Sequence, residues 1–266
     1  MFGASGQVGS AVLERLLEAG WEVDAPSREQ RAPRRGLNWL RGGFDALPEL
    51  AGRYDAVLSC GPLDLFARWH AGCGVEAGRV VAFGSTSATA KRGSADAAER
   101  ELAARLVRAE AIVLRPTLVY GAGRDRSLSR IAAMARGRGV FVLPRGATGL
   151  RQPVHVDDLA ATALAALTAP GAGGRGYDLP GGEALPYREM VARVLGSLRP
   201  PARLVEVPRP VFSALAAVLR AGGRLQGFGP AAQARLRQDL VFDAGPAVAA
   251  LGHAPRPFRP APGTFA

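Results

Sequence analysis

Three glycines near the start of the chain have a spacing that suits the binding of a phosphate group. Gly3, Gly6 and Gly9 stand three residues apart, and residues 10–19, which follow, have their apolar side chains at helical spacing. A glycine turn that opens a helix presents backbone N–H groups and the positive end of the helix dipole, and glycine allows a diphosphate to approach closely. The turn therefore predicts a dinucleotide ligand.

The residues after this turn complete a nucleotide-binding unit. Gly20 ends the predicted helix, and residues 21–25 alternate apolar and polar side chains as a strand does. In such a unit the glycine turn follows a buried strand of about five or six residues. Only Met1 and Phe2 precede Gly3. We therefore expect most of the first strand to be missing, with the true start of the protein upstream of Met1.

The end of the second strand carries an arginine where an acidic residue would select NAD. Ser27 and Arg28 stand at this point, and an arginine there can pair with the 2′-phosphate of NADP. NADP is therefore the favoured cofactor. NAD stays possible, because Asp24 would take the acidic role in a different strand register, and the alternative role of Arg28 is that of a solvated loop residue.

The composition is that of a globular chain with a sizeable core. With 266 residues and 48% hydrophobic side chains, the chain suits one large α/β domain or one domain with a modest second lobe. It shows neither an apolar stretch of transmembrane length nor a leader pattern, so we expect no transmembrane segment and a cytoplasmic location. Cys60, Cys73 and His70 form no metal-binding pattern, so no metal site is expected.

The formal net charge of +11 makes nucleic acid a partner to consider. The arginines, however, are spread along the sequence and are not interleaved with aromatic side chains, and Lys91 is the only lysine. This usage is typical of the codon bias of a GC-rich genome. We therefore expect no nucleic acid partner.

Predicted strands and helices alternate through most of the chain. The strands include residues 54–62, 79–87 and 111–121, and the helices include residues 63–73, 95–110, 127–136 and 160–167. This order predicts a doubly wound parallel sheet (a Rossmann fold) that binds ligands at the carboxyl ends of its strands. Residues 1–168 are predicted as the NAD(P)-binding domain, and residues 169–266 as a smaller C-terminal substrate lobe.

An apolar stretch in the C-terminal part, residues 210–225, has flanking arginines. One interpretation is a helix that lies in a membrane interface. The favoured interpretation is packing against the substrate lobe or a partner subunit. A monomer or a homodimer is expected.

Five short motifs follow one another over nearly the whole chain. They are residues 3–9, 80–87, 114–121, 153–160 and 177–182. Together they resemble the extended and atypical short-chain dehydrogenase/reductases, the NAD-dependent epimerase/dehydratase-like group. The resemblance implies a doubly wound fold with NAD(P) across the carboxyl edge of the sheet and a small-molecule or nucleotide-linked substrate.

The resemblance also assigns roles to individual residues. It places the diphosphate on Gly3, Ala4, Ser5, Gly6, Gln7 and Val8, the 2′-phosphate on Arg28, the adenosine and its ribose near Cys60, Gly61 and Pro62, and the nicotinamide near Ser85, Thr86, Pro116 and Thr117. Residues 155–158 would shape the substrate side. His155 and Asp157 are candidates for a proton relay, with a structural role at a helix start as the alternative.

One family feature is missing. Active members resemble one another in a Tyr-x-x-x-Lys pair, whose tyrosine takes or returns a hydroxyl proton during hydride transfer. None of the four tyrosines here has a lysine four residues later. Ser85, Thr86 and Lys91 are therefore the predicted catalytic residues, with a solvated loop charge as the alternative for Lys91. The expected function is an oxidoreductase or epimerase that transfers hydride, and the alternative is an inactive nucleotide-binding assembly or sensor protein.

Overall fold

The computed structural model of the protein describes residues 1–44, 50, 52–90, 94–121, 125, 127–221 and 234–265. It divides into two units. Unit 1 comprises Met1–Thr117, Val154–Pro180 and Phe242–Pro255, and unit 2 comprises Leu118–Pro153, Gly181–Val241 and Arg256–Ala266.

Unit 1 alternates strands and helices. Its described strands are β1 Val23–Ser27, β2 Leu37–Arg41, β3 Arg53–Ser59, β4 Glu76–Phe83, β5 Ile112–Pro116, β9 Val154–His155 and β10 Arg175–Leu179. Its described helices are α1 Gln7–Glu18, α2 Leu63–Gly72, α3 Ser87–Ala90, α4 Ser94–Arg108, α6 Val156–Thr168 and α9 Gly245–Leu251.

Unit 2 has shorter strands. Its described strands are β6 Val119–Tyr120, β7 Val140–Pro144, β8 Leu150–Arg151, β11 Leu185–Pro186 and β12 Arg203–Val207, and its described helices are α5 Leu128–Arg136, α7 Tyr187–Gly196 and α8 Arg209–Ala221.

The sheet of unit 1 is parallel, as predicted. Strands β3, β4, β5 and β10 lie side by side in this order, and β1 pairs in parallel with β2. Alternate strand residues point to opposite faces, and Val57, Ala82 and Val113 share a core with Phe66 of α2 and Leu106 of α4. Helices α1 and α6 pack against each other. The predicted α/β doubly wound fold is confirmed.

Met1 and Phe2 lie between β1 and β3, where a doubly wound sheet has its first strand. The Met1 amine donates to the Asp24 carbonyl at 2.6 Å. The Phe2 amide donates to the Leu58 carbonyl at 2.8 Å, and the Phe2 carbonyl accepts from the Cys60 amide at 3.0 Å. Two residues therefore join the backbones of β1 and β3 just before the glycine turn.

The two units do not follow the single predicted boundary between residues 168 and 169. Strand β10, expected in the C-terminal lobe, pairs in full register with β5 and belongs to unit 1. Residues 118–153, expected in the cofactor domain, belong to unit 2. The reason is pairing over long sequence distances, since β7 takes β12 as its parallel partner within unit 2.

His253 joins the C-terminal segment of unit 1 to α6 and to the residue that follows β10. Its Nε2 lies 2.9 Å from the Pro180 carbonyl oxygen, and its Nδ1 lies 2.8 Å from Thr162 Oγ1 of α6. The ring is 1% exposed. Burial lowers the pKa of His253, and this effect outweighs the opposite effects of the Pro180 carbonyl and the Asp158 charge. The folded state therefore holds this ring neutral.

We expect His253 to make the protein less stable in mild acid. The pKa of His253 is lower in the folded state, so the unfolded chain binds more protons and the free energy of unfolding falls as the pH drops through about 6.5. Urea unfolding at pH 7.5 and 5.5 should show a smaller loss of stability for His253→Gln than for the wild type. An equal loss in both proteins would contradict the assignment. His70, whose pKa is also lowered by burial, is present in both and cancels.

Candidate functional site

The glycine turn is built by close backbone contacts that exclude side chains. Gly3 has a φ of +69°, and a Cβ there would lie 2.7 Å from the backbone of Cys60 and Gly61. A Cβ on Gly9 would lie 1.9 Å from the Gly3 carbonyl oxygen. Gly3 thus lets the turn rest on the end of β3, and Gly9 lets α1 begin directly against the turn. The predicted turn-and-helix arrangement is present.

Gly6 has a different environment. It is the N-cap of α1 and is exposed, and its amide donates to the Gly3 carbonyl at 2.9 Å. A Cβ on Gly6 would meet only the Gly3 carbonyl oxygen, at 3.2 Å. The protein itself therefore needs glycine here much less than at the other two positions. An exposed helix N-terminus of this kind is where a phosphate group binds.

The end of β3 meets the turn. Cys60 and Gly61, predicted near the adenosine, contact Gly3 directly, and Pro62 is the exposed N-cap of α2. Burial raises the pKa of the Cys60 thiol, which is therefore protonated and unreactive at neutral pH. Ala4 is buried beneath the turn, whereas Ser5 is exposed and Gln7 and Val8 are partly exposed.

Two arginines follow the end of β1, where the ribose position is predicted. Arg28 is exposed and follows the last residue of β1. Arg31 Nε donates to Ser27 Oγ at 3.2 Å, and its guanidinium lies 5.2 Å from the centre of the Trp39 ring. Sequence reasoning missed Arg31, because its place depends on the Trp39 ring of the neighbouring strand β2.

The carboxylate of Asp24 is hydrogen-bonded to other side chains of the protein. Asp24 is the second residue of β1, away from the carboxyl end of the strand. Its carboxylate accepts from Asn38 Nδ2 at 3.0 Å and from the Tyr54 hydroxyl at 2.9 Å. The strand register that would give Asp24 the ribose-binding role of an NAD enzyme is therefore not the register of this structure.

The two predicted hydroxyl residues after β4 differ in their exposure to solvent. Thr86 is buried, and both its amide and its Oγ1 donate to the Pro116 carbonyl, at 3.2 and 3.1 Å. This contact joins the ends of β4 and β5. Ser85 is partly exposed, and its Oγ lies 2.8 Å from Ser87 Oγ. The Thr117 amide in turn donates to the Leu179 carbonyl at the end of β10.

The remaining groups with a predicted role in catalysis are Lys91, His155 and Asp157. Lys91 lies outside the described residues. His155 is the N-cap of α6, where its Nδ1 accepts from the Asp157 amide at 3.2 Å. This contact agrees with the structural role for His155 and Asp157. Of the predicted site residues, Arg28, Cys60–Pro62, Ser85 and Pro116–Thr117 end or follow strands of unit 1, and Gly3–Val8 form the turn and the start of α1.

Residues 114–116 and 177–179 belong to two of the motifs that resemble the family, and they also have a structural role. Arg115 Nε donates to Asp178 Oδ1 at 2.7 Å, between paired positions of β5 and β10. A Cβ on Gly176 would lie 2.9 Å from the Arg115 guanidinium, so glycine makes room for this side chain. The pair helps to hold the outermost strand on the sheet.

Parts of this chain match the sequences of known proteins. Residues 76–179 match the NAD dependent epimerase/dehydratase family. The predicted resemblance is confirmed over this segment. A curated relative, subunit 9 of the mitochondrial NADH dehydrogenase [ubiquinone] 1 alpha subcomplex from Arabidopsis thaliana, is 33% identical over 109 residues. The aligned residues are 41% of this chain and span only 27% of the relative's length.

Several solved structures, two of them complexes with NAD, share the fold. The UDP-glucuronic acid 4-epimerase from Bacillus cereus, in complex with NAD, has a TM-score of 0.71 and 13% identity, covering 96% of this chain and 90% of that one. MoeE5, in complex with UDP-glucuronic acid and NAD, has a TM-score of 0.67 and 19% identity, with coverages of 96% and 93%. Gox2253 has a TM-score of 0.66 and 21% identity, with coverages of 99% and 94%.

Proposed function

We propose that the carboxyl edge of the unit 1 sheet binds a nicotinamide dinucleotide, with its diphosphate on Gly3 to Val8. The observation that carries this proposal is the contrast between the glycines. Packing within the protein accounts for Gly3 and Gly9, whereas Gly6 is exposed and opens α1, and a Cβ there would meet only the Gly3 carbonyl oxygen, at 3.2 Å. A diphosphate would bind at this exposed start of α1 and use the positive end of the helix dipole. Titration of the protein with NADPH and NADH tests the proposal directly.

We propose further that NADP is preferred to NAD. Arg28 is exposed at the end of β1, and Arg31, three residues later, is hydrogen-bonded to Ser27 and ion-paired with Glu29 at 2.9 Å. Two guanidinium groups would bind the 2′-phosphate of NADP with charge-assisted hydrogen bonds. The carboxylate of Asp24 is directed to Asn38 and Tyr54 and is not available to a ribose there.

A side-by-side titration with NADPH and NADH tests both statements. Calorimetry should show saturable binding with NADPH preferred, and Arg28→Ala should weaken NADPH binding by about tenfold while leaving NADH binding nearly unchanged, since the loss is that of one charge-assisted contact. Arg53→Ala is the matched control, because Arg53 is exposed at the start of β3. Equal affinities for the two nucleotides would refute the NADP preference, and no binding of either would refute the cofactor site.

The activity that we propose is hydride transfer by an oxidoreductase or epimerase on a small or nucleotide-linked substrate. Ser85 is the hydroxyl best placed for a substrate or the nicotinamide ribose, because it is partly exposed at the end of β4. Two structural neighbours contain UDP-glucuronic acid or UDP-glucose together with NAD. UDP-sugars are therefore the first substrates to test, with the absorbance of reduced nicotinamide and product chromatography as readouts.

A second candidate is a nucleotide-binding assembly subunit without catalysis. The hydroxyl of Thr86, a predicted catalytic group, is buried and donates to the Pro116 carbonyl. The sequence has no Tyr-x-x-x-Lys pair, and the curated relative is a subunit of a larger enzyme. Saturable cofactor binding without turnover on the UDP-sugars would favour this candidate. The cytoplasm is the proposed compartment, and the proposed oligomeric state is a monomer or a homodimer, which light scattering would distinguish.

A further inference from the structure

The net positive charge belongs to one unit. Unit 2 contains 18 of the 34 Lys and Arg residues but only 5 of the 23 Asp and Glu residues, so its formal charge is +13, whereas that of unit 1 is −2. The basic residues themselves are divided almost evenly. It is the acidic residues that collect in unit 1, and this leaves unit 2 with little to neutralise its arginines.

Unit 2 also exposes large apolar side chains on one helix. In α8, Phe212 and Ala216 are buried, but Val211 is 55% exposed and Leu215, one helical turn later, is 42% exposed. Ala214 and Ala217 are exposed as well, and Arg209 begins the helix. Residues four apart lie on the same side of a helix, so Val211 and Leu215 form one apolar stripe.

The strand pair next to this helix also exposes apolar side chains. Helix α8 contacts β7, and β7 pairs in parallel with β12. Val140 is 37% exposed and Val205 is 40% exposed, while Leu204 and Phe141 pack against the core of unit 2. Arg203 pairs with Val140 in the strand register, and side-chain alternation places Arg203 on the same face as Val205.

Exposed arginines stand at both ends of this strand pair. Arg203 begins β12, and Arg145 follows β7, where its amide donates to the Val207 carbonyl at 2.9 Å. Within the described part of the chain, neither of them nor Arg209 forms an ion pair with a carboxylate, whereas Glu206 on the same strand is paired with Arg188. Uncompensated positive charge therefore flanks exposed valine and leucine side chains.

We propose that these residues, the α8 surface (Val140, Arg145, Arg203, Val205, Arg209, Val211 and Leu215), dock on a membrane surface that bears anionic phospholipids. An interfacial helix places its apolar side chains at the boundary of headgroups and acyl chains while nearby arginines contact anionic headgroups. Arginine with aliphatic side chains suits this partner better than nucleic acid, whose bases stack on aromatic rings. Among the described residues, no helix is long and apolar enough to span the bilayer, so attachment would be peripheral.

Vesicle co-sedimentation of the full chain tests the proposal. We expect binding to vesicles of phosphatidylcholine with phosphatidylserine, at least tenfold weaker binding to pure phosphatidylcholine, and weaker binding as salt is raised. Arg203→Gln with Arg209→Gln should weaken binding to the anionic vesicles by about 25-fold, that is, by about fivefold for each arginine. Val211→Ser with Leu215→Ser, which changes only exposed side chains, should weaken it by about tenfold or more.

Matched controls come from unit 1. Arg175→Gln removes an exposed arginine of β10, and Val248→Ser truncates a valine of α9 that is 50% exposed, so both should bind anionic vesicles as the wild type does. Wild-type affinity of the α8 variants, or equal binding to both kinds of vesicle, would overturn the proposal. Heparin binding that survives Val211→Ser with Leu215→Ser, without vesicle binding, would identify a soluble polyanion site instead. A dimer that these two changes dissociate would identify a second copy as the occupant.

Discussion

Replacement of Gly9 by alanine is expected to lower the free energy of unfolding by about 3 kcal/mol, because it forces atoms together at the start of α1. The new Cβ would lie 1.9 Å from the Gly3 carbonyl oxygen, 2.7 Å from the Gly3 carbonyl carbon and 3.0 Å from the Ala4 Cα. All three are backbone atoms, so no side-chain rotation relieves the overlap. The helix or the turn would have to move. Urea unfolding followed by circular dichroism would measure the loss.

Gly6→Ala is the matched comparison, since it adds the same methyl group three residues away. Gly6 has a φ of −75°, which alanine adopts readily, and its Cβ would meet only the Gly3 carbonyl oxygen at 3.2 Å. We expect a loss of stability of about 1 kcal/mol or less, much smaller than that of Gly9→Ala, and a loss of NADPH affinity of about tenfold or more, because the methyl group lies at the position proposed for the diphosphate. Unchanged affinity in a stable Gly6→Ala protein would contradict the proposed position of the cofactor.

Phe2→Ala should cost about 3 to 5 kcal/mol, as large aromatic truncations in a core do. The Phe2 ring is 3% exposed and stacks on Phe44 with a centroid distance of 4.8 Å. It also lies 4.5 Å from the Trp69 ring and 5.7 Å from the Phe66 ring. The ring therefore connects the short segment between β1 and β3 to helix α2.

Phe2→Leu provides the control. Leucine keeps most of the apolar volume, so we expect a loss of stability of about 1.5 kcal/mol or less. Because Trp69 contacts Phe2, its fluorescence should change in Phe2→Ala even under conditions where the variant is still folded. Equal stabilities of Phe2→Ala and the wild type would show that this aromatic cluster does not support the sheet.

Together these variants separate the residues that packing requires from the residues that are proposed to bind the cofactor. Gly9 and Phe2 are required by packing, and their replacement should lower stability first and cofactor affinity as a consequence. Gly6 and Arg28 are exposed, and their replacement should lower affinity alone. If all four variants were equally destabilised, the glycine turn would have a structural role without a ligand.

Local sequence patterns were sufficient for most helices and strands. The predicted helix 63–73 is α2 Leu63–Gly72, the predicted strand 54–62 contains most of β3, and the glycine spacing predicted the turn that opens α1. These features depend on residues within a few positions of one another, whose periodicity and backbone freedom are written in the sequence. β7 was not predicted, because its five residues show no clear alternation before their partner β12 is known.

By itself, the sequence determined the α/β class, the glycine turn, the arginine at the end of β1 and the family resemblance, because each is a local signal. The tertiary structure alone decided that β10 joins the sheet of unit 1, that Thr86 donates to the Pro116 carbonyl and that Arg31 lies beside Ser27 over Trp39. It also decided that unit 2 has a formal charge of +13, although the arginines are spread along the whole chain. The physical reason is that strand pairing and burial join residues far apart in the chain, and neither spacing nor composition specifies which partners they find.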